Sequence, residues 1–556
     1  MRSGAKAAVI GGVFAAMVGA AGFGAYALTG SDDDSSGGPL DLSAVGDKPA
    51  IKTGPPSAAE VRTTAREFLD AWQSGNASGA AALTDGRGDA KTALTGYRKD
   101  AHIVQVELEP RAATGRSVPF DVSAVISYGG RKATWTYDSE LTVTRQKTTG
   151  RAVVDWKPSV VHPQLRTGDT LRTGEADAPP IKAVDREGAE LKEKEHPGLH
   201  SVLGALRERY GDKAGGKPGV ELWIARAKGK GQSGAEAGGK RPDETLKVLS
   251  KGTPGTLRTT LDSGLQTAAE QAVSKHGKAA MVALKASTGE ILAVANSPAS
   301  GFNTAFQGSY APGSTMKVIT SSLLLEKGLA GYDKPHPCPK YSTYGGWKFQ
   351  NDDKFEIRNG TFAQSFARSC NTAFITQAKK LDDGDLPRQA REVFGIGLNW
   401  QTGVPTFDGS VPVQSQAQMA ASLIGQGGVR MNPLNMASVA ATVRTGNFHQ
   451  PFIVAPSVDD RQVAKAARSL SPAAADQLRS LMRLTATAGT AAEAMSGMGG
   501  DIGAKTGSAE VDGQKEANGW FTAYRGDLAA SAVVPGGGHG GSSAGPLVAQ
   551  LLRQGG

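Results

Sequence analysis

Strand patterns stand at both ends of the last 300 residues, with helical patterns between them, and no other feature constrains the fold so strongly. From Leu257, "LRTTLDSGLQTAAEQAV" reads as a strand and then a helix. "AAMVALKASTGEILAVAN" (279–296) reads as a two-strand hairpin turning at Ser287-Thr288-Gly289. Helical segments are predicted from there to about 495, and two further strand runs follow, around 502–511 and 518–534. The economical arrangement is one α+β domain over 257–556 whose first and last strands share a sheet.

The whole chain has 556 residues, too many for one core, so several units are expected. Ala7 to Leu28 carries no charge, with Arg2 and Lys6 before it and Asp32-Asp33-Asp34 after it. Such a run is long enough to span a bilayer. We expect a cytoplasmic tip and transmembrane anchor over 1–30, with the amino terminus inside and the rest outside the cytoplasmic membrane. A cleaved signal peptide is the alternative. Residues 31–56, rich in Ser, Gly, Asp and Pro, read as a flexible linker.

A helix starts behind Pro55-Pro56, with Ser57 and Glu60 as a capping box and Val61, Ala65, Phe68, Leu69 and Trp72 on one face. Alternating runs follow, from Phe120 to Tyr128 and from Ala133 to Val143, around a Gly129-Gly130 turn. A capped helix on a curved antiparallel sheet is expected for 57–165, closed by "WKPSVVHPQL". Residues 166–256 are less regular. "IKAVDREGAEL" (181–191) suggests a strand, a turn and a second strand, and "VELWIARA" (220–227) another strand. His196 and His200 have a metal-like spacing, but Pro197 and Gly198 break the helix it needs, so no metal is assigned.

The net charge of +9 suits anionic surroundings, but no basic stripe with interleaved aromatics appears, so nucleic acid is not expected. The two cysteines, Cys338 and Cys370, invite a disulfide in an exported chain, two buried thiols being the alternative. The closed loop would contribute about 3–4 kcal/mol in the entropic picture.

Three short patterns each occur twice. Ser3/Lys6, Lys52-Thr53-Gly54 and Ser74/Asn76 fall in the membrane flank, the linker and a helix end. The other set, Ser314/Lys317, Ser369-Cys370-Asn371 and Lys505-Thr506-Gly507, lies in one domain. Its order is Ser-x-x-Lys, Ser-x-Asn, Lys-Thr-Gly. The first pattern opens a helix and the last sits in a strand. Two further matches are chance in glycine-rich sequence. Gly541-Ser542-Ser543-Ala544-Gly545 has no aspartate or histidine after it, and Gly234 to Lys240 is followed by Arg241 rather than Ser or Thr.

The second set, together with "STGEILAVANSP", "SFARSCNTAF", "IGQGGVRMNPLNMA", "TAGTAAEA" and "KTGSAE", resembles the penicillin-binding serine acyltransferases. "IKAVDREGAEL" is similar to the linker region of class B members, and 57–165 looks like the nuclear-transport-factor-2-like (NTF2-like) domain that some of them carry. The resemblance implies a multidomain α+β protein. Its units would be the anchor, an NTF2-like domain (57–165), a linker/dimerisation-type domain (166–256) and a transpeptidase domain (257–556). The last would be an antiparallel sheet flanked by helices, as in the serine β-lactamases.

The implied site has Ser314 as nucleophile and Lys317 as its base. A lysine serves as base only when neutral, a state favoured by burial near Lys505. Ser369 would relay a proton, Asn371 would hold a substrate amide, and Lys505 and Thr506 would receive a terminal carboxylate beside Gly507 and Ser508. The N–H groups of Ser314 and Ser508 would form the oxyanion hole. The implied activity is D,D-transpeptidation of peptidoglycan stem peptides, with acylation by β-lactams at the same serine, without metal or organic cofactor. A membrane glycosyltransferase is the implied partner. The alternatives are a D,D-carboxypeptidase, a β-lactamase-like hydrolase, or a non-enzymatic β-lactam sensor or scaffold. No Glu-x-x-Leu-Asn loop lies between Asn371 and Lys505 to favour the β-lactamase, and the region before 257 lacks the acidic motifs of a glycosyltransferase. Ser508 stands where many relatives have threonine, and it keeps the hydroxyl.

Overall fold

The computed structural model describes residues 51–176, 178–227 and 242–555. The charge-free run 7–28 and the glycine-rich match at 234–240 lie outside these. Among the described residues, no helix is long and apolar enough to cross a membrane. The chain divides into two compact units. In the described part of the smaller one (residues 1–55 and 145–151), Arg145 Nε donates to Gly54 O at 2.9 Å. The larger unit comprises residues 56–144 and 152–556.

The first helix, Ala58–Gln73, is capped as the sequence predicts. Ser57 Oγ accepts from Glu60 N at 3.3 Å, and Glu60 Oε2 accepts from Ser57 N at 2.8 Å. Its apolar face buries Phe68 and Trp72. Two further helices follow, Ala77–Ala82 and Arg87–Lys99. They pack with β1 (Ile103–Pro110), β2 (Ser117–Tyr128), β3 (Arg131–Arg145) and β4 (Ala152–Val154), which form one sheet in sequence order. The β2–β3 turn is Gly129-Gly130, both with positive φ, as a two-residue hairpin turn demands. Neither the two short helices nor β1 was expected; their apolar positions are sparse and irregular.

Residues 166–256 form β5 (Thr170–Glu175), β6 (Lys182–Val184), a helix His200–Tyr210, β7 (Val220–Ala225), β8 (Glu244–Ser250) and β9 (Thr256–Arg258). Their buried side chains divide between two cores. Leu171, Leu222 and Ile224 join the core around Phe68 and Trp72, while Ile181, Leu199 and Leu206 join that of the carboxyl-terminal domain. The second strand expected within 181–191 shrinks to a single bridge, Val184 to Glu190, because Asp185 Oδ1 gathers the N–H groups of Glu187, Gly188 and Ala189 into a tight turn. His196 contacts Glu270 and His200 contacts Glu193, so the two histidines share no partner.

The carboxyl-terminal domain is built on β10 (Ala279–Lys285), β11 (Ile291–Ser297), β14 (Ile502–Ala509), β15 (Asn518–Arg525) and β16 (Leu528–Val534). The order is β11-β10-β16-β15-β14, antiparallel throughout, so first and last strands do share a sheet. The second late strand run is a hairpin, turning at Gly526 with φ 56°. Alternate residues enter different cores. Ala280, Val282 and Trp520 face one side, whereas Met281, Phe521 and Ala523 face the helices Ser263–Val273 and Ala544–Gly555. Between the strands, "helical to about 495" needs one correction. Tyr341–Tyr344 and Trp347–Gln350 form a hairpin, β12–β13, around Gly345-Gly346, both with positive φ.

Trp72 is fully enclosed, in edge contact with Phe68, Tyr97 and Phe120. Trp72→Ala should remove about 3–5 kcal/mol. A urea titration followed by circular dichroism should show an earlier first transition; an unmoved midpoint would mean that this core does not depend on Trp72.

Candidate active site

Ser314 lies in a 3₁₀ turn, Gly313–Met316, and Lys317 is the first residue of the helix Lys317–Glu326. The sequence predicts a helix opening at Ser314; the tighter turn serves better, because residues three apart eclipse in 3₁₀ geometry. Lys317 Nζ stands 2.9 Å from Ser314 Oγ. Gly313 holds φ at 52°, and a Cβ there would meet Ser508 O at 2.6 Å. Gly425 lies closer still, since its Cβ would fall 2.0 Å from Gly313 O. The backbone around Ser314 is thus clamped between β14 and the 425 turn.

Ser369 arrives by a different device. The helix Phe362–Ala367 ends in a Schellman motif, with Ser369 N donating to Phe366 O at 2.9 Å and Cys370 N to Ser365 O at 2.8 Å. The residue after the cap is usually glycine, but here Ser369 adopts φ 58°. That left-handed conformation costs a side-chain-bearing residue about 1–2 kcal/mol. It places the Ser369 hydroxyl 2.8 Å from Lys505 Nζ, which comes from β14.

The oxygens around Lys317 suit a neutral amine. Its amine is 2.7 Å from Ser369 O and 2.7 Å from Asn371 Oδ1. Both oxygens can only accept, and Asn371 is oriented by its own Nδ2 donating to Gln350 O at 3.1 Å. A neutral amine has two N–H bonds, which these carbonyls take, so its lone pair is left for the Ser314 hydroxyl. Lys317 is fully buried, and burial first, then the nearby Lys505, hold its pKa well below the ordinary 10.5. Asp352 acts weakly the other way. Burial pushes Lys505 down to about 7. A lysine whose pKa is lowered, set against a serine hydroxyl, is the arrangement that a base activating a nucleophile requires.

Thr506 and Gly507 follow Lys505 on β14, the sheet's edge strand, and Ser508 pairs with Gly519 across to β15. The eight predicted residues therefore gather around one cleft. The sequence did not single out Thr490, whose Oγ1 is 2.6 Å from Thr506 Oγ1, although it lies within the quoted "TAGTAAEA". It missed Asn351 altogether. This buried amide accepts from Asn371 N at 2.8 Å and Thr372 N at 3.0 Å through Oδ1, and its Nδ2 donates to Phe355 O at 2.8 Å and Pro339 O at 3.0 Å. An asparagine before two aspartates carries no local signal of that task. Cys338 and Cys370 are joined as a disulfide with Cα atoms 6.1 Å apart, which fastens the turn between Ser369 and Asn371 to the segment leading into β12. The serines of the 541–545 match bond back to His539 O.

Residues 279–553 match the penicillin binding protein transpeptidase domain, and residues 60–169 match the NTF2-like N-terminal transpeptidase domain. The peptidoglycan D,D-transpeptidase PbpA of Mycobacterium tuberculosis is 27% identical over 307 residues, 46% of this chain and 61% of that protein. The chain thus spans about three fifths of that relative's length. Stage V sporulation protein D of Bacillus subtilis is 26% identical over 447 residues, 67% of this chain and 66% of that protein. PBP2 of Pseudomonas aeruginosa, solved with WCK 5153, shares the fold with a TM-score of 0.54 at 20% identity, covering 68% of this chain and 96% of that one. So does a chain of a peptidoglycan synthase complex, with a TM-score of 0.53 at 22% identity, covering 70% of this chain and 92% of that one.

Acylation of Ser314 should accelerate as pH rises through the lowered pKa of Lys317, because the base works only when neutral. A rate that climbs only near 10.5 would mean that the lysine rests charged. Asn351→Ala should slow acylation by about tenfold to a hundredfold by loosening the Ser369–Asn371 turn. Stopped-flow acylation checks both, and a rate within twofold of the parent would remove Asn351 from the site.

Proposed function

Because this chain belongs to the penicillin-binding proteins and carries an NTF2-like domain ahead of its transpeptidase domain, we propose that it is a class B serine D,D-transpeptidase cross-linking peptidoglycan stem peptides. The observation that carries the reading is the buried Lys317 amine, 2.9 Å from Ser314 Oγ and 2.7 Å from each of two carbonyl oxygens.

In this reaction Lys317 takes the Ser314 proton as Oγ attacks the carbonyl of the penultimate D-alanine. The N–H groups of Ser314 and Ser508 receive the developing oxyanion. The bond to the terminal D-alanine breaks, and its nitrogen gains a proton through Ser369, which Lys505 approaches at 2.8 Å. Lys505 and Thr506, beside Gly507 and Ser508, hold the terminal carboxylate, and Asn371 holds a backbone amide of the donor. An amine from a second stem peptide then takes the acyl group from Ser314. A β-lactam would be attacked in the same way and would remain attached. No step draws on a metal or organic cofactor.

The rest of the chain fits that assignment. Residues 1–30 would anchor the protein in the cytoplasmic membrane with the catalytic domain outside, and 31–56 would be the linker. Residues 57–165 would be the NTF2-like domain, 166–256 the linker/dimerisation-type domain, and 257–556 the transpeptidase domain. The relative named for a synthase complex supports a membrane glycosyltransferase as partner.

The test is intact mass against time after mixing the full chain with benzylpenicillin, alongside Ser314→Ala. A long-lived adduct on the parent and none on the variant is expected. An adduct lost within seconds would make the protein a β-lactam hydrolase, and no adduct on either would overturn the reading.

A further inference from the structure

Besides that of Lys505 with Ser369, a second contact joins the two walls of the cleft, and the reaction just described does not use it. Asp352 Oδ2 lies 3.4 Å from His539 Nδ1. Asp352 belongs to the wall that carries Asn371. It follows Asn351, whose backbone oxygen accepts from Lys354 N at 3.0 Å and whose Nδ2 donates to Phe355 O at 2.8 Å. Those bonds close a turn in which Asp353 and Lys354 both take positive φ, so Asp352 is held in place beside the Asn371 segment. His539 belongs to the wall that carries Lys505. The next residue, Gly540, is so close to β14 that a Cβ there would meet Gly507 O at 2.3 Å, and Gly541 lies against Thr506 Cγ2. The N–H groups of Ser542 and Ser543 fix His539 O.

Both side chains are about two-thirds exposed, at 65% and 70%. An exposed pair of this kind is weak and parts readily. The cleft behind it holds two buried lysine amines, while the acceptor of a transpeptidation arrives as an ammonium. A cation approaching that interior gains nothing from its floor; on the wall that carries Asn371, the carboxylate at the rim is Asp352.

We infer that Asp352 is the acceptor-binding residue, which exchanges His539 for the ammonium of the incoming stem peptide and so favours charged amines over water at the acyl-enzyme. This rests on the transpeptidase reading. The ammonium gives one proton to bulk water, and its nitrogen bonds to the acyl carbon. The bond from that carbon to Ser314 Oγ breaks, and the second amine proton ends on Oγ. Asp352 neither gains nor loses a proton; it orients the nitrogen.

The test uses the full chain and a diacetyl-L-lysyl-D-alanyl-D-lactate donor near neutral pH. Two nucleophiles compete with water: Nα-acetyl-lysinamide, which is charged there, and hydroxylamine, which is not. Mass spectrometry reads the ratios of amide to acid and of hydroxamate to acid. In Asp352→Asn the amide ratio should fall about fivefold, the value of one partly exposed charge pair, with the hydroxamate ratio unchanged. Asp352→Glu should restore most of it. Equal falls in both ratios, or no fall in either, would overturn the inference. So would a fall in Glu516→Gln alone, whose carboxylate lies near Gly538 on the opposite wall. A parent that acylates but yields only acid with lysinamide overturns this inference and leaves the acyl-enzyme standing, whereas a parent that never acylates overturns both.

Discussion

Two lysine amines, Lys317 and Lys505, are withdrawn from water in one cleft, and neither is hydrogen-bonded to a carboxylate. The partners of Lys317 are a hydroxyl and two carbonyls, and those of Lys505 a hydroxyl and one carbonyl. Keeping a buried ammonium without a counter-ion costs several kcal/mol, so the environment selects the neutral amine wherever the proton can leave. For Lys505, the displacement from 10.5 to about 7 corresponds to roughly 5 kcal/mol of preference against the charge. Had Asp352 been placed inside the cleft rather than at its rim, Lys317 would be held charged and could not take a proton. Much of the surrounding structure excludes acids and water from that space while holding a serine on either side.

Each of the three strands of backbone that meet there is tied down by a different local rule. The turn that holds Ser314 relies on glycines at 313 and 425, because any side chain would collide with facing backbone. Ser369 relies on a helix terminus that normally asks for glycine and accepts serine at some conformational cost. Lys505 relies on sheet register, which fixes it opposite Thr522. The disulfide and Asn351 then fasten the second element to the β12–β13 hairpin.

Legibility in the sequence divides along the same lines. The capped first helix, the β10–β11 hairpin and the order of the motifs were readable because period, cap and turn residues are local signals. Strands at both ends of the domain implied a common sheet, since neither set could bury its faces alone. Asn351 was invisible because its importance lies in bonds to residues 371 and 372, and nothing within the hairpin strands 341–350 announces them. The β12–β13 hairpin lacks the apolar alternation of a buried strand, as much of it is exposed. Residues 166–256 resisted reading for a related reason. Their apolar side chains serve cores belonging to the segments before and after, so no single periodicity runs through them.

The strand order of the last sheet also ties the site to both ends of its domain. β14 carries Lys505 and takes its ladder hydrogen bonds from β15 alone; β15 pairs with β16, and β16 with β10, which lies far earlier in the chain. Ser314 and Lys317 thus come from the helical layer, while the Lys505 amine opposite them is held by the last strands of the ladder. A polypeptide cut short before β14 would carry Ser314 and Lys317 but not the amine that faces them.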